Sequence, residues 1–312
     1  MIQTIKQLIE EAEIITVFRH YNADGDALGS QWGLITWLKE MYPTKQVYGL
    51  GKNNAADAGY FPNSDVISDE VIQQSLAITT DTATKDRIDD KRAYQAKKMI
   101  KIDHHINVDQ YADYEYVDEQ AASSCEIVAY LIQKWTDQPV SKEVANYLYF
   151  GILTDTLSFS VASVSSKTLQ MAAYLAESGI EIEKINLAIK LQTFDLYRFD
   201  SHVREHAVFE DTGVAYMIIT HELVQSFQIT TLQAKERVNV LSNIAEYPIW
   251  LFFVEDDLLP GMFNASIRSR GVAINDIAAK YQGGGHKNAS GAKGFTLETT
   301  ELLLKDLRER VK

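Results

Sequence analysis

The sequence predicts a two-domain α/β protein, in which a doubly wound, mainly parallel sheet is followed by a smaller α+β domain. Two observations carry this prediction. Through residues 1–190, short β-branched apolar runs alternate with stretches whose apolar residues recur every three or four positions, which is typical of a parallel sheet with helices on both faces. After that, β-like runs dominate. We therefore expect a catalytic domain over 1–190, a connecting segment over 191–204 and a second domain over 205–312.

The first domain begins with an amphipathic stretch, Ile2–Glu13, and a β-rich run, Ile14–Phe18. The next segment, Ala27–Met41, spaces its apolar residues three and four apart, which predicts a helix. Short apolar runs predict further buried strands at Val47–Leu50, Leu76–Thr80 and Met99–Ile102. Helical spacing predicts helices at Ser124–Trp135, Lys142–Leu153, Ser166–Ser178 and Ile182–Lys190.

The second domain follows a change in pattern near Leu191–Asp200. Its β-like runs are His206–Phe209, Val214–Thr220, Ile249–Glu255 and Gly261–Ser269. Its predicted helices are Thr231–Leu241, Asn275–Tyr281 and Thr299–Arg310.

Composition excludes several classes of function. The 312 residues include 30 basic and 43 acidic side chains, and the net charge of −13 would repel long nucleic acids. The single cysteine, Cys125, excludes internal disulfides and thiolate-dominated metal sites. The longest apolar runs are far shorter than the roughly 18 residues of a membrane span. We expect a cytoplasmic protein that binds neither membranes nor a long nucleic-acid scaffold.

Acidic and histidine side chains follow three of the predicted strands and one of the predicted helices. Ligands of open parallel sheets bind beyond the carboxyl ends of the strands, so polar residues at these positions are candidates for a site. The segments are Arg19–Asp26, Asp81, Asp103-His104-His105 and Thr154-Asp155-Thr156. Carboxylates with a few imidazoles suit Mn²⁺, Mg²⁺ or Zn²⁺, and a carboxylate-rich set suits two ions. Taken singly, Asp24-Gly25 also fits a turn, and Asp81 and Asp155 also fit helix caps.

The order and spacing of these motifs resemble the DHH phosphoesterases. The resemblance rests on His20-x-Asn-x-Asp24-Gly-Asp26, on Asp81 with Arg87, on Asp103-His104-His105 and on Gly151-Ile-x-Thr-Asp155. Later in the chain, Arg268-x-Arg270 and Gly283-Gly-Gly-His286-x-x-Ala-Ser-Gly291 resemble the DHHA1 domain that follows in many of them. The compact length is similar to that of the nanoRNase and pAp phosphatase branch.

The resemblance implies two metal ions, with Mn²⁺ favoured over Mg²⁺. One ion would be held by His20, Asp24 and Asp81, and the other by Asp26, Asp81, His104 and Asp155. Asp81 would bridge the two, His105 would face the scissile phosphate, and Asp103 would orient a histidine or its loop. Two such ions neutralise the charge that builds up during displacement at phosphorus.

The second domain carries a candidate phosphate-binding group. Gly283, Gly284 and Gly285 can let an anion approach backbone N–H groups, although a flexible loop is the simpler interpretation of three glycines alone. Arg268 and Arg270 stand two apart in a β-like run and are expected on one side, which also fits a solvated strand face. With His286 and with Arg87 of the first domain, they are the predicted substrate-binding residues.

We therefore expect a phosphoesterase with its active site in the cleft between the domains. Its substrates would be short oligonucleotides, 5′-phosphorylated dinucleotides such as pApA from cyclic di-AMP turnover, or the 3′-phosphate of pAp. Two alternatives stay open at this point: an inorganic pyrophosphatase of the related DHH type, and a catalytically silent nucleotide-binding protein. A homodimer is compatible with the sequence.

Overall fold

A computed structural model describes residues 1–52 and 60–311. The chain divides into two compact units, Met1–Leu191 and Gln192–Lys312. The predicted location of the active site, in a cleft between two domains, stays a prediction. No helix in the described part of the chain has the length and apolarity needed to cross a lipid bilayer.

The first unit is built on a five-stranded sheet in which every pairing is parallel. Its strands are β1 (Ile14–Phe18), β2 (Gln46–Gly49), β3 (Leu76–Thr80), β4 (Lys98–Asp103) and β5 (Tyr114–Val117). Their order in the sheet is β2-β1-β3-β4-β5, so the direction of winding reverses between β1 and β3. That reversal opens a crevice at the carboxyl ends of β1 and β3, where open α/β sheets bind ligands.

Helices cover the sheet unequally. Ile15, Ile78 and Ile100 point into the main core, and Phe18, Ala77 and Met99 contribute to a smaller cluster. The helices of this unit are α1 (Ile2–Glu11), α2 (Gly25–Met41), α3 (Asp69–Gln74), α4 (Ser124–Trp135), α5 (Lys142–Asp155), α6 (Ser166–Ala176) and α7 (Ile182–Lys190). The main core takes residues from every one of these except α3, whose Ile72 belongs to the smaller cluster.

A glycine seam lets α2 and α5 pack closely. It consists of Gly25, Gly29 and Gly33, which stand four apart on one side of α2, and Gly151 of α5. A Cβ on Gly29 would lie 2.5 Å from the carbonyl oxygen of Tyr147, and one on Gly151 would lie 3.1 Å from the Cα of Asp26. The seam therefore fixes the position of the first turn of α2, which carries Asp26.

Replacement of Gly29 by alanine is expected to destabilise the protein by about 1–3 kcal/mol, because the added methyl meets the α5 backbone and cannot be relieved by a rotamer change. The melting temperature measures the effect. Gly284→Ala is the matched control, since a Cβ there would meet nothing within 4 Å. Equal melting temperatures for the two variants would contradict the close-packing role of Gly29.

The second unit contains a six-stranded sheet in the order β10-β11-β9-β8-β7-β6. The strands are β6 (Val208–Phe209), β7 (Val214–Ile219), β8 (Ile249–Glu255), β9 (Phe263–Ser269), β10 (Gly284–His286) and β11 (Ala289–Phe295). Only β7 and β8 pair in parallel among these strands. The helices are α8 (Phe194–His206), α9 (His221–Ser226), α10 (Thr231–Glu236), α11 (Asn275–Lys280) and α12 (Thr300–Val311).

Two apolar clusters flank this second sheet. One joins Ala265 and Ile267 of β9 to α11 and α12. The other joins Trp250 and Phe252 of β8 to α8 and α10. The alternation of side chains along a strand explains this division, because successive residues point to opposite faces.

The elements differ from the sequence prediction at a few places. Residues 194–206, which fall in the predicted connection and the start of a predicted strand, form α8, and its Phe199 and Val203 are fully buried in the second unit. The segment Thr231–Leu241 is α10 followed by a 3₁₀ turn over Arg237–Leu241. The triple glycine enters an edge strand, β10, which the sequence analysis does not predict.

Candidate metal centre

The predicted acidic and histidine residues of the first unit converge at one edge of its sheet. His20 follows β1, Asp81 follows β3, and His104 follows β4. Asp26 lies in the first turn of α2 and Asp155 ends α5. Three groups have ligand atoms within 4.8 Å of one another: His20 with Asp24 and Asp81, Asp26 with His104 and Asp155, and Asp81 with His104 and His105.

Asp81 lies between two histidines. Its Oδ2 is 3.3 Å from Nε2 of His20, and its Oδ1 is 3.5 Å from Nε2 of His104. The backbone of Asp81 is in the left-handed region, with φ of 49°. Aspartate and asparagine tolerate this conformation better than most residues do. The turn after β3 thus directs one carboxylate toward both histidines.

Backbone carbonyls fix both of these imidazoles. Nδ1 of His20 is 2.8 Å from the carbonyl oxygen of Tyr21, and Nδ1 of His104 is 3.4 Å from that of Ala121. A carbonyl oxygen can only accept, so each Nδ1 carries the proton and each Nε2 offers its lone pair when the ring is neutral. Metal-binding histidines are oriented in this way by their outer hydrogen bonds.

Asp26 is anchored on the N-terminus of α4. Its Oδ2 accepts a hydrogen bond from Ser124 N at 2.7 Å, and its Oδ1 accepts one from Cys125 N at 2.9 Å. The hydroxyl of Ser124 is also 3.1 Å from Oδ1 of Asp81. The unpaired N–H groups at a helix start favour a carboxylate. The sequence gives no signal of this anchor, because 98 residues separate Asp26 from Ser124.

Asp24 and Asp155 complete the two groups. Asp24 is the N-cap of α2, where Oδ1 accepts from the N–H groups of Asp26 and Ala27, and its Oδ2 is 3.9 Å from Nε2 of His20. The turn interpretation of this segment and its role as a candidate ligand are therefore compatible. Oδ2 of Asp155 is 3.5 Å from Nε2 of His104.

The electrostatics of this cluster favour bound cations. Burial, followed by the charges of Asp81 and Asp155, raises the pKa of Asp26 well above its ordinary value. Burial and the charges of Asp24 and Asp81 raise the pKa of Asp155 to about 7, against the opposing effect of His104. Hydrogen bonds from His104 and His20 in their protonated form, in which Nε2 also carries a proton, overcome burial and hold the pKa of Asp81 well below its usual range. Crowded carboxylates and imidazole nitrogens of this kind fit divalent ions.

His105 is held by Asp103. Its Nδ1 donates to Oδ1 of Asp103 at 2.8 Å, and the same oxygen accepts from His104 N. Although burial opposes it, the hydrogen bond from His105 keeps the pKa of Asp103 below its ordinary value. The carboxylate of Asp103 thus orients the imidazole of His105 through Nδ1, and the role of His105 toward a reacting phosphate stays a prediction.

A buried lysine, Lys101, lies next to Asp103, the residue that holds His105. The sequence analysis did not identify it as part of the site. It is fully buried, and its Nζ is 3.6 Å from Oδ2 of Asp103. The ammonium donates to the carbonyl oxygens of Ala83 and Asp109 and to Oδ1 of Asn107. It therefore ties the loop after β3 to the loop after β4. The sequence predicts a strand through Lys101 but not the loops that surround its ammonium, so the fold alone reveals these contacts.

Arg87 lies beside the His20 segment. Its carbonyl oxygen accepts from Tyr21 N, its guanidinium is 6.0 Å from the Tyr21 ring, and its charge opposes the raised pKa of His20. The structure thus places this predicted substrate-binding cation next to the histidine and carboxylate cluster.

The predicted cationic residues of the second unit, Arg268, Arg270 and His286, do not all lie on strands of its sheet. Arg268 and His286 are in register with Ala289 on neighbouring strands, so all three share one face of the sheet. Arg270 lies beyond the end of β9 and donates to the carbonyl oxygens of Ile244 and Ala245. Its guanidinium therefore holds that loop, and the expectation that Arg268 and Arg270 face one side and bind substrate stays a prediction.

The glycines of the predicted phosphate-binding group, Gly283, Gly284 and Gly285, differ in how much space surrounds them. A Cβ on Gly283 would lie 1.9 Å from the carbonyl oxygen of Gly291, and one on Gly285 would lie 2.5 Å from that of Ala289. Gly285 also has a φ of 135°. These two positions require glycine for packing and backbone conformation, whereas Gly284 has open space around it.

Comparisons with known proteins show the family to which the chain belongs. The model of the DHH family N-terminal domain matches residues 14–152, and that of the DHHA1 domain matches residues 211–312. The chain is 32% identical over 297 residues to the bifunctional oligoribonuclease and PAP phosphatase of Bacillus subtilis, covering 95% of this chain and 94% of that protein. It is 35% identical to the Mycoplasma genitalium protein of the same name, covering 91% and 89%.

A solved structure is similar over almost the whole chain. It is that of an exopolyphosphatase-related protein from Bacteroides fragilis, with a TM-score of 0.89, 25% identity, and coverage of 99% of this chain and 95% of that one. The fold and the site therefore define a hydrolase that acts on phosphoester bonds. The chain belongs to the DHH family and carries the DHHA1 domain.

Proposed function

We propose that this protein hydrolyses short oligonucleotides, 5′-phosphorylated dinucleotides and the 3′-phosphate of pAp with the help of two divalent ions, of which Mn²⁺ suits the ligands best. The observation that carries the proposal is the carboxylate of Asp81, which is directed toward Nε2 of both His20 and His104. Relatives at 32% and 35% identity that are named oligoribonuclease and PAP phosphatase support the choice of substrate.

The proposed ligands divide between the two ions. His20, Asp24 and Asp81 would hold one, and Asp26, Asp81, His104 and Asp155 would hold the other. When bound, such a pair of ions neutralises negative charge on a reacting phosphate and lowers the pKa of water. Oxygen ligands with a minority of imidazoles suit Mn²⁺ and permit Mg²⁺.

Side chains of the chain itself would orient the substrate. His105 would bind or protonate the reacting phosphate through Nε2, because Asp103 holds its Nδ1. Arg87 would contact a phosphate near His20, and Arg268 and His286 of the second unit would bind a phosphate that does not react. Gly284 leaves room for that phosphate, while Gly283, Gly285 and Arg270 would keep the surrounding backbone in place.

Turnover of three substrates in Mn²⁺ tests the proposal: a 5′-phosphorylated dinucleotide, pAp and inorganic pyrophosphate. We expect the two nucleotides to be cleaved much faster than pyrophosphate. Faster cleavage of pyrophosphate would contradict the proposal and indicate an inorganic pyrophosphatase. Tight binding of the dinucleotide without any turnover would indicate a catalytically silent nucleotide-binding protein instead.

Replacement of Asp103 by asparagine is expected to lower kcat about 10–100-fold with little change in KM, since His105 would lose the charged partner that orients it. Steady-state kinetics on pAp measures both constants. Asp113→Asn is the matched control, because Asp113 is a carboxylate in the same unit that accepts from the backbone N–H of Met99. An unchanged kcat for Asp103→Asn would contradict the proposed role of His105 in the reaction.

Replacement of Arg268 by alanine is expected mainly to raise KM for substrates with a non-reacting phosphate, by about tenfold or more, because a charge-assisted contact is lost. The Michaelis constants for a 5′-phosphorylated dinucleotide measure this change. A fall in kcat at unchanged KM would instead place Arg268 at the reacting phosphate.

A further inference from the structure

A row of polar side chains crosses the first sheet next to the candidate metal centre. Thr79 of β3, Lys101 of β4 and Glu115 of β5 are paired in register, so the three side chains lie on one face of the sheet. Asp81 and Asp103 come two residues after Thr79 and Lys101 along the chain. The middle member of the row is therefore the lysine closest in sequence to the Asp103 carboxylate that orients His105.

Three oxygens of two loops accept from the ammonium of Lys101. They are the carbonyl oxygen of Ala83 at 3.0 Å, Oδ1 of Asn107 at 3.2 Å and the carbonyl oxygen of Asp109 at 3.2 Å. An ammonium has three protons and no lone pair, so these acceptors match its whole capacity. Ala83 belongs to the turn after β3 and the other two belong to the loop after β4, so one side chain joins both loops.

Two further residues link the same loops. The hydroxyl of Tyr111 donates to the carbonyl oxygen of Thr82 at 2.8 Å, and the centre of its ring lies 4.9 Å from Nζ of Lys101. Oδ2 of Asp109 accepts from the backbone N–H of Lys85 at 2.8 Å. We call Lys101, Tyr111 and Asp109 the loop tie.

Packing alone does not account for a lysine at this position. The side chain of Lys101 is fully buried, and its neighbours on the strand, Ile100 and Ile102, belong to the main apolar core. Removing an ammonium from water costs several kcal/mol, which the loop oxygens and the Asp103 carboxylate, 3.6 Å from Nζ, have to offset. Apolar replacements of such buried charges are often neutral or stabilising, so we look for a role of the lysine in function.

The two loops carry groups that the proposed reaction needs at fixed distances. Oδ1 of Asp81 is 3.5 Å from Nε2 of His104 and 3.5 Å from Nδ1 of His105. The loop tie acts close to these residues, because Ala83 comes two residues after Asp81 and Asn107 comes two residues after His105. Displacement of a reacting group by about 1 Å can lower a rate about a hundredfold.

We propose that Lys101 is a positioning residue of the phosphoester hydrolysis, which fixes Asp81 relative to His104 and His105 through the loop tie. The inference rests on the proposed function and extends it to a residue that acts through its neighbours rather than on the substrate. Without the ammonium, the turn after β3 and the loop after β4 would move independently. The expected result is weaker ion binding and slower turnover, with substrate binding little changed.

Replacement of Lys101 by methionine tests the proposal, because it keeps an unbranched side chain and removes the ammonium. We expect kcat for pAp to fall about 10–100-fold, KM to change by less than about threefold, and the dissociation constant of Mn²⁺ to rise about tenfold. Steady-state kinetics and calorimetric titration with Mn²⁺ measure these changes. Lys98→Met is the matched control, since Lys98 lies on the same strand and is exposed.

Ile9→Ala separates positioning from a loss of stability. Ile9 is buried on α1, which carries no residue of the candidate site, so the truncation is expected to lower the melting temperature. Assayed well below that temperature, this variant is expected to keep the kcat and the Mn²⁺ affinity of the wild type. Equal losses of kcat in Ile9→Ala and Lys101→Met would overturn the proposal, and so would an unchanged kcat in Lys101→Met.

Should Lys101→Met fail to fold, Tyr111→Phe decides the question, because it removes only the hydroxyl that donates to Thr82. Its kcat is expected to fall about three- to tenfold. Tyr48→Phe is the control, since the hydroxyl of Tyr48 donates to Gln46 in an exposed position. An unchanged kcat in Tyr111→Phe would then overturn the proposal.

Amide hydrogen exchange of the metal-free protein separates this inference from the proposed function, because it needs neither ion nor substrate. Peptides covering residues 82–87 and 106–112 are expected to exchange faster in Lys101→Met than in the wild type, and at the wild-type rate in Lys98→Met. Equal exchange in Lys101→Met and wild type overturns the inference even if the enzyme cleaves nucleotides. Faster exchange and weaker Mn²⁺ binding in Lys101→Met, with no nucleotide cleaved by the wild type, overturn the proposed function alone.

Discussion

The Asp81→Asn variant is expected to lose turnover of pAp and dinucleotides by about a thousandfold or more. Asp81 is the carboxylate that both His20 and His104 face, so the change removes a charge common to the two proposed ion sites, each worth several kcal/mol to the reaction. Asparagine tolerates the left-handed backbone that this position adopts, which makes it a cleaner replacement than alanine. Alanine is expected to abolish turnover as well, with an added loss of stability.

Two measurements make the Asp81→Asn result informative: kcat/KM in saturating Mn²⁺, and the change of melting temperature on adding Mn²⁺. We expect both to be lost. Asp65→Asn is the control, because Asp65 is a carboxylate of the same unit that accepts from the N–H of Gly49. Wild-type turnover in the Asp81 variant would rule out the two-ion proposal.

Removal of divalent ions is expected to abolish turnover completely while leaving the fold intact. The metal-free cluster holds buried carboxylates whose mutual repulsion would also repel a phosphate. Saturation of a site at a hundred times its dissociation constant stabilises a protein by about 2.7 kcal/mol, so the melting temperature is expected to fall by several degrees without the ions.

Chelation followed by dialysis, with circular dichroism and kinetics before and after, measures both effects. Protein dialysed without chelator is the control, and adding Mn²⁺ back should restore activity and melting temperature together. Full activity after exhaustive chelation would exclude a metal-dependent reaction. Loss of helical signal on chelation would show that the ions hold the fold together rather than only the site.

The first sheet was largely predictable from the sequence, for a physical reason. Its central strands β1 and β3 are buried on both faces, so their runs, Ile14–Phe18 and Leu76–Thr80, are rich in apolar and β-branched residues and easy to recognise. The edge strand β5, whose residues are only partly buried, was not predicted. The positions of Asp81 and His104 then follow, because carboxyl ends of parallel strands meet at one edge. The resemblance of the motifs to the DHH phosphoesterases then named the candidate ligands, and their role as metal ligands stays a prediction.

Other features depend on contacts between distant segments and left no local signal. The anchoring of Asp26 on α4 and the fixation of Lys101 by two loops arise only when the helices and loops come together. The strand β10 contains two glycines and pairs at an edge, and glycine-rich segments have low strand propensity.

The hydrogen bonds that orient His20 and His104 have a further consequence for how the protein acquires its metal. Both imidazoles are held by backbone carbonyls and Asp26 by a helix end, so the ligands keep their places before any ion arrives. Loading then requires neither folding of a loop nor assembly of a ligand set. On the two-ion proposal, we therefore expect an emptied protein to take up Mn²⁺ again without refolding.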